Sequence, residues 1–163
     1  MANLNTGYGY GQVELNKVAF RRDGRIEAQC RLADGIEYIE NGMILAIDPV
    51  NHVVKKPTGD SEEFLALHYS AEHMYDAKDR GLKHFRVEKD GFYPRLGYLA
   101  TGDIFTTNAV TCESIEGLAA GQYGHADASG YINVNTTSAN AIVKVIEITT
   151  MPDGSPAVKF IAL

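Results

Sequence analysis

Gly81-Leu82-Lys83-His84-Phe85-Arg86, Gly91-Phe92-Tyr93-Pro94-Arg95-Leu96 and Gly102-Asp103-Ile104-Phe105-Thr106-Thr107-Asn108 are three pieces of one stretch in the middle of the chain, and their reading decides the fold class. The stretch reads as closely spaced strands cut by glycines, with a Gly-Asp turn aiming the last strand. Asp103 follows Gly102 and precedes an alternating segment. A carboxylate there can bond its own downstream backbone and set a turn into a strand, a role that needs neither catalysis nor metal.

The same texture extends outward on both sides. Upstream, Arg21-Arg22-Asp23-Gly24-Arg25 is a turn centred on Asp-Gly, and residues 26–32 alternate apolar and polar as one half-buried strand should. Asp34-Gly35 and Asn41-Gly42 are further turn signals that bracket a short strand or bridge at residues 36–39. Residues 43–48, Met-Ile-Leu-Ala-Ile-Asp, are apolar on both faces, which predicts a central strand. Pro49 ends it, and residues 52–56 return as its partner. Residues 64–70 favour a strand over a helix, residues 71–78 hold the only expected helical turns, and residues 117–130, rich in Gly, Ala and Ser, read as a loop.

Downstream, residues 131–135 alternate cleanly, and two apolar runs at 141–149 and 157–163 flank Met151-Pro152-Asp153-Gly154-Ser155, a strong hairpin signal. About ten short strands with turn signals about every eight to twelve residues and almost no helix indicate an all-β fold, an antiparallel barrel or sandwich. Residues 1–12 differ in composition, with no charge and with glycines at 7, 9 and 11 around Tyr8 and Tyr10. They are expected to be a flexible N-terminal arm that tyrosines could anchor on a partner, leaving residues 13–163 as a single β-rich domain.

With 163 residues, the chain is long enough for one domain to bury roughly 70% of its unfolded surface. A formal charge of −6 and a pI near 5.3 speak against a protein whose main task is to wrap nucleic acid. Two distant cysteines, Cys30 and Cys112, make neither a disulfide framework nor a zinc motif and read as reduced, partly buried residues. The first residues lack the charged and apolar regions of a signal peptide, and no run of about 20 apolar residues could span a membrane.

The chemistry-bearing residues do not assemble into a motif. His68 and His73 stand five apart, wrong for one helix face and on opposite faces of a strand, so the spacing does not match the HExxH pattern even with Glu72, Asp76 and Asp103 near. His125 falls in the expected loop. Cys112 has no local companion to lower its pKa, and Glu62-Glu63 and Glu113 with Glu116 read as solvated turns. Gly7-Tyr8-Gly9-Tyr10-Gly11 is not a dinucleotide loop, because no strand precedes it. The basic residues Arg21, Arg22 and Arg25, and Lys83, His84, Arg86, Lys89 and Arg95 among Phe85, Phe92 and Tyr93, leave an OB-like nucleic-acid barrel open. On an acidic chain they suit an acidic protein surface better.

Taken in order, Asn41-Gly42-Met43-Ile44-Leu45, Tyr75-Asp76, Gly81-Leu82-Lys83-His84-Phe85, Pro94-Arg95-Leu96 and Gly102-Asp103-Ile104-Phe105-Thr106-Thr107-Asn108 resemble small head proteins of tailed bacteriophages. The specific likeness is to the decoration, cement or capsid-stabilising proteins, over roughly residues 35–110. The resemblance implies a structural virion protein, not an enzyme, made in the host cytoplasm and carried on the capsid surface. It implies a β-rich homo-oligomer, a trimer in preference, that binds the outside of the head and bridges major capsid subunits. No cofactor, metal, direct nucleic-acid contact or membrane is expected. On this reading Tyr8, Tyr10, Arg21, Arg22 and Arg25 are the candidate contacts to capsid or sister subunits. A tail or baseplate module is the main alternative; an OB-like binding domain and a metal-dependent hydrolase built on His68, His73 and Asp103 stand behind it.

Overall fold

The computed structural model describes residues 1–60, 63–70 and 84–163. In chain order these form β1 (Ala2–Asn3), β2 (Val13–Lys17), a single helical turn α1 (Phe20–Asp23), β3 (Ile26–Glu27), β4 (Arg31–Leu32), β5 (Tyr38–Glu40), β6 (Ile44–Asp48), β7 (Val53–Lys55) and β8 (Phe64–His68). They continue as β9 (Arg86–Glu88), β10 (Leu96–Gly97), β11 (Ile104–Thr107), β12 (Val110–Cys112), β13 (Tyr123–Ala126), β14 (Ile132–Asn135), β15 (Val143–Thr150) and β16 (Pro156–Ala162). The protein is all-β, as its turn-punctuated pattern predicts. The helical turns expected at 71–78 lie outside the described residues, as do His73 and the Tyr75-Asp76 motif.

Strand β6 organises the body because both its faces are covered. It lies between β8 and β7 in a six-stranded sheet ordered β3-β10-β8-β6-β7-β4. Ile44, with Leu67 of β8, faces a core built from Phe105, Val110, Ile132, Val143, Val158 and Phe160 of the larger, curled eight-stranded sheet. Leu45 and Ile47, with Ala66, face a second core that includes Ile39 and Val87 of the β5–β9 ribbon. A strand covered on both sides gains by being apolar at every position, since each fully buried Leu or Ile contributes about 1.5–3 kcal/mol.

The eight-stranded sheet runs β1-β12-β14-β13-β15-β16-β11-β2 and is antiparallel except for β12 with β14. Phe105 and Phe160 are direct partners across β11 and β16, with ring centroids 5.6 Å apart. The β15–β16 hairpin forms where the Pro-Asp-Gly signal places it, with Gly154 at φ 85. A bulge between Val145 and Glu147 shifts the register, and Ile146 and Ile148 are exposed.

The deciding stretch threads all three sheets: β9 belongs to the ribbon, β10 to the six-stranded sheet and β11 to the eight-stranded sheet. Its glycines do not share one role. Gly102 sits at φ 90 in the turn before β11, where a left-handed backbone is required. Gly97 lies against Phe20, and a Cβ there would stand 2.5 Å from the ring.

Two expectations differ from the structure. Residues 26–32 are not one strand, because β3 pairs with β10 and β4 pairs in parallel with β7 at the opposite edge of the same sheet. Residues 117–130 are not only loop: Tyr123–Ala126 is β13, between β14 and β15. Its Gly124 reads as a loop residue but is required by packing, since a Cβ would stand 2.5 Å from Val143 Cγ2 and 2.7 Å from Ile132 Cγ2. Residues 1–12, read from the sequence as an N-terminal arm, are placed against the body. Ala2 and Asn3 pair with Cys112 and Thr111, and Leu4 is buried in the larger core.

Candidate functional site

The arm is held by one buried carboxylate. Glu40 ends β5 just before the Asn41-Gly42 turn, and its Oε2 accepts three hydrogen bonds: from Asn5 Nδ2 at 2.9 Å, the Gly11 amide at 2.8 Å and the Tyr131 hydroxyl at 2.8 Å. Glu40, Asn5 and Gly11 are all buried. A carboxylate out of water needs such donors, which replace its hydration. Burial first, and the Glu40 charge second, raise the Tyr131 phenol above its ordinary range, so it stays a donor. Gly11 must be glycine: a Cβ would stand 2.4 Å from the Asn41 carbonyl oxygen.

Tyr10 is a second anchor. The Arg86 guanidinium lies over a tilted pair of aromatic rings whose centroids are 6.1 Å apart, 5.0 Å from the Tyr10 centroid and 4.6 Å from that of Tyr38. Arg86 also donates to the Tyr10 hydroxyl at 3.0 Å and pairs with Glu88 at 3.0 Å. Tyr10 therefore joins the arm to the β5–β9 ribbon, a use of Arg86 that its place among dispersed basic residues does not suggest. Tyr8, at 43% exposure, faces solvent at the turn of the arm.

The Arg21, Arg22 and Arg25 group forms around α1. Phe20 is driven into the core against Tyr69, at 5.1 Å between centroids, and Gly24 closes the turn at φ 68 with its amide on the Phe20 carbonyl. That leaves Arg21 and Arg22 outward. Arg22 pairs with Asp23 at 2.7 Å, while Arg25 stands 4.0 Å from the same carboxylate. The Arg22 side chain is 79% exposed, so this pair constrains it weakly.

Asp103, His68 and His125 have structural partners. Asp103 sets its turn, but upstream rather than downstream: Oδ2 accepts the Ala100 amide at 2.9 Å, and Oδ1 accepts the distant Ala19 amide at 2.7 Å, tying the strand start to α1. His68 is fully buried and lines the sheet. Its Nδ1 donates to the Glu40 carbonyl at 2.7 Å, and its Nε2 faces the Ser70 hydroxyl at 2.6 Å, which in turn accepts the Arg95 amide at 2.8 Å. Burial lowers its pKa from 6.5 to about 4, against the raising effect of the Glu40 carbonyl, so the ring is neutral and accepts from Ser70. The structure does not bring His68 and Asp103 together through any shared contact.

His125 lies in β13 and not in a loop; its Nε2 donates to the Thr137 carbonyl at 2.9 Å. It lines a cleft of about 600 Å³ with Asp60, Glu63 and Asn135, where Glu63 accepts the Thr58 amide and hydroxyl, each at 2.9 Å. Burial raises the Cys30 thiol to about 11 and raises Cys112 as well, which keeps both protonated. Among the described residues no group of three or more His, Cys, Asp and Glu could hold a metal, and no helix is long and apolar enough to cross a membrane.

Reading the sequence alone misses Glu40 and the Arg86–Tyr10–Tyr38 cluster. Glu40 stands beside a turn, where a solvated carboxylate is ordinary; the arm, 29 to 35 positions away in the chain, and Tyr131, 91 away, make it a buried acceptor. No protein-family model matches the chain, and no curated protein and no solved structure matches it either.

Proposed function

We propose that this chain is a structural virion protein that binds the outside of a tailed-phage head and stabilises it by bridging major capsid subunits, as a homo-oligomer with a trimer favoured. The observation that supports this reading is where the resemblance falls in the fold. Asn41-Gly42-Met43-Ile44-Leu45 leads into the central strand β6, Pro94-Arg95-Leu96 leads into β10, and Gly102-Asp103 through Asn108 is the turn and strand of β11. These three of the motifs that carry the likeness supply Ile44 and Phe105 to one core and Met43, Leu45 and Leu96 to the other, so the likeness belongs to the body of the fold.

On this reading the body is a rigid block and contact falls to what it displays. Tyr8 on the arm and Arg21 and Arg22 on α1 are presented outward by anchored backbone, which lowers the ordering cost of binding. Tyr10 acts within the chain on Arg86, while Arg25 stands beside Arg22 around Asp23 and remains a candidate contact with it. Many copies, each burying a modest area at a subunit seam, stabilise the assembled lattice because they bind it and not its free subunits. The test is pelleting of the purified protein with expanded heads prepared without it. Saturable binding weakened by Tyr8→Ser with Arg21→Glu and Arg22→Glu supports the reading. Binding to tails, or no binding to heads, overturns it.

A further inference from the structure

The arm and the surface that receives it form a plug and a slot, and nothing about their fit requires that both belong to one copy. The slot consists of the free edge of β12, a core recess filled by Leu4 and the Glu40 carboxylate. The plug consists of Ala2 and Asn3 on β12, the Leu4 amide on the Val110 carbonyl at 3.1 Å, and Asn5 on Glu40. An empty slot would leave a bare strand edge, an open core and a buried carboxylate short of donors, so it needs an occupant.

The connection between plug and body is a short loop whose ends meet. Asn5 and Gly11 bond the same Glu40 oxygen, which holds those donor atoms within about 6 Å of each other. Between them, residues 6–10 make turns closed by the Thr6 amide on the Asn3 carbonyl and the Tyr8 amide on the Asn5 carbonyl, and they join no sheet. Gly7 and Gly9 occupy positive φ, and a Cβ on Gly7 would find open space. With Tyr10 held on Arg86, residues 6–9 reach about 14 Å when extended, the span over which the plug can be carried to an adjacent copy.

We propose that the slot is a self-association site, filled in associated copies by residues 2–5 of a second copy of this chain. Exchange keeps every plug contact and, with Tyr10 held on Arg86, changes only the closure of residues 6–9, so copies are linked with little new enthalpic cost. In dilute solution the chain's own plug fills the slot, because the tether holds it at an effective concentration on the order of millimolar. Exchange rises when copies are concentrated or held side by side. The inference stands independently of the capsid reading.

The test uses the cross-strand pair Ala2 and Cys112, whose side chains both face the larger core. A donor carries Ala2→Cys, Cys30→Ser and Cys112→Ser; an acceptor carries Cys30→Ser alone. Refolded together from ~10 µM to ~1 mM and then oxidised, they can form a 2–112 disulfide only by exchange. The expected result is a covalent heterodimer whose yield rises at least tenfold over that range, with the 2–112 link identified by peptide mass. A companion carrying Ala2→Cys and Cys30→Ser, with Cys112 retained, should close the link within one chain at low concentration, which verifies the strand pairing. Closure in that companion with no heterodimer at any concentration overturns the proposal. An equal yield from a donor that also carries Leu4→Asp, and so lacks the plug, overturns it too.

Discussion

Replacing Glu40 with leucine removes the acceptor on which the arm depends while keeping the volume of the side chain. Three donors lose their partner: Asn5 Nδ2, the Gly11 amide and the Tyr131 hydroxyl, at 2.8 to 2.9 Å. Each buried donor left unmade costs about 1–3 kcal/mol, and relief from desolvating the carboxylate returns part of the sum, so Glu40→Leu should cost about 3 kcal/mol. Glu40→Gln keeps an accepting oxygen and loses only the charge, and should cost about 1–2 kcal/mol. Urea unfolding gives both values, provided the m-value is unchanged. Hydrogen exchange locates the loss. The Leu4 and Gly11 amides should exchange more than tenfold faster in Glu40→Leu than in a core variant of similar global cost, Val158→Ala in β16. Glu40→Leu as stable as the parent, or uniform acceleration in both variants, would refute the claim that Glu40 latches the arm.

Three further outcomes are expected. The pKa of His68 is about 4 in the folded protein against 6.5 ordinarily, so the folded state resists a proton that the unfolded chain accepts. Stability should be indifferent to this group above pH 6.5 and fall by about 3 kcal/mol on acidification to pH 4; urea midpoints at pH 7.5 and 4.5 should show a smaller drop in His68→Gln, and equal drops would contradict the assignment. Gly124→Ala forces a methyl against Val143 and Ile132 and should lower the melting temperature by about 5 °C, the result of about 2 kcal/mol of overpacking; an unchanged melt would show that the sheet yields there. Arg86→Lys keeps the charge but loses the planar group over Tyr10 and Tyr38 and its bond to the Tyr10 hydroxyl, and should loosen residues 8–11 alone by hydrogen exchange; loosening that extends into β15 and β16 would contradict a local role.

What the sequence discloses and what it hides follow from the range of the forces involved. Strand β6 and the β15–β16 hairpin are legible because their signals are local: continuous apolarity in one, two apolar runs around Pro-Asp-Gly in the other. Strand β13 is hidden because the property that places it, room for two neighbouring side chains over Gly124, belongs to Val143 and Ile132 and not to its own residues. The break at residues 28–30 is hidden for a related reason, since alternation persists across it while the strands part to opposite sheet edges. The contacts of the arm are hidden most, because they are made to Glu40 and Arg86, both distant in the chain. Asp103 is half legible: its turn is local, whereas the bond to Ala19 spans 84 positions.

The central claim is attachment to the outside of an assembled head, and cryo-electron microscopy of heads with and without the protein tests it most directly. The account predicts added density on the outer surface, at symmetry-related positions astride the seams between major capsid subunits, into which the two packed β layers fit. Density on tails, or heads indistinguishable with and without the protein at saturating concentration, would contradict it.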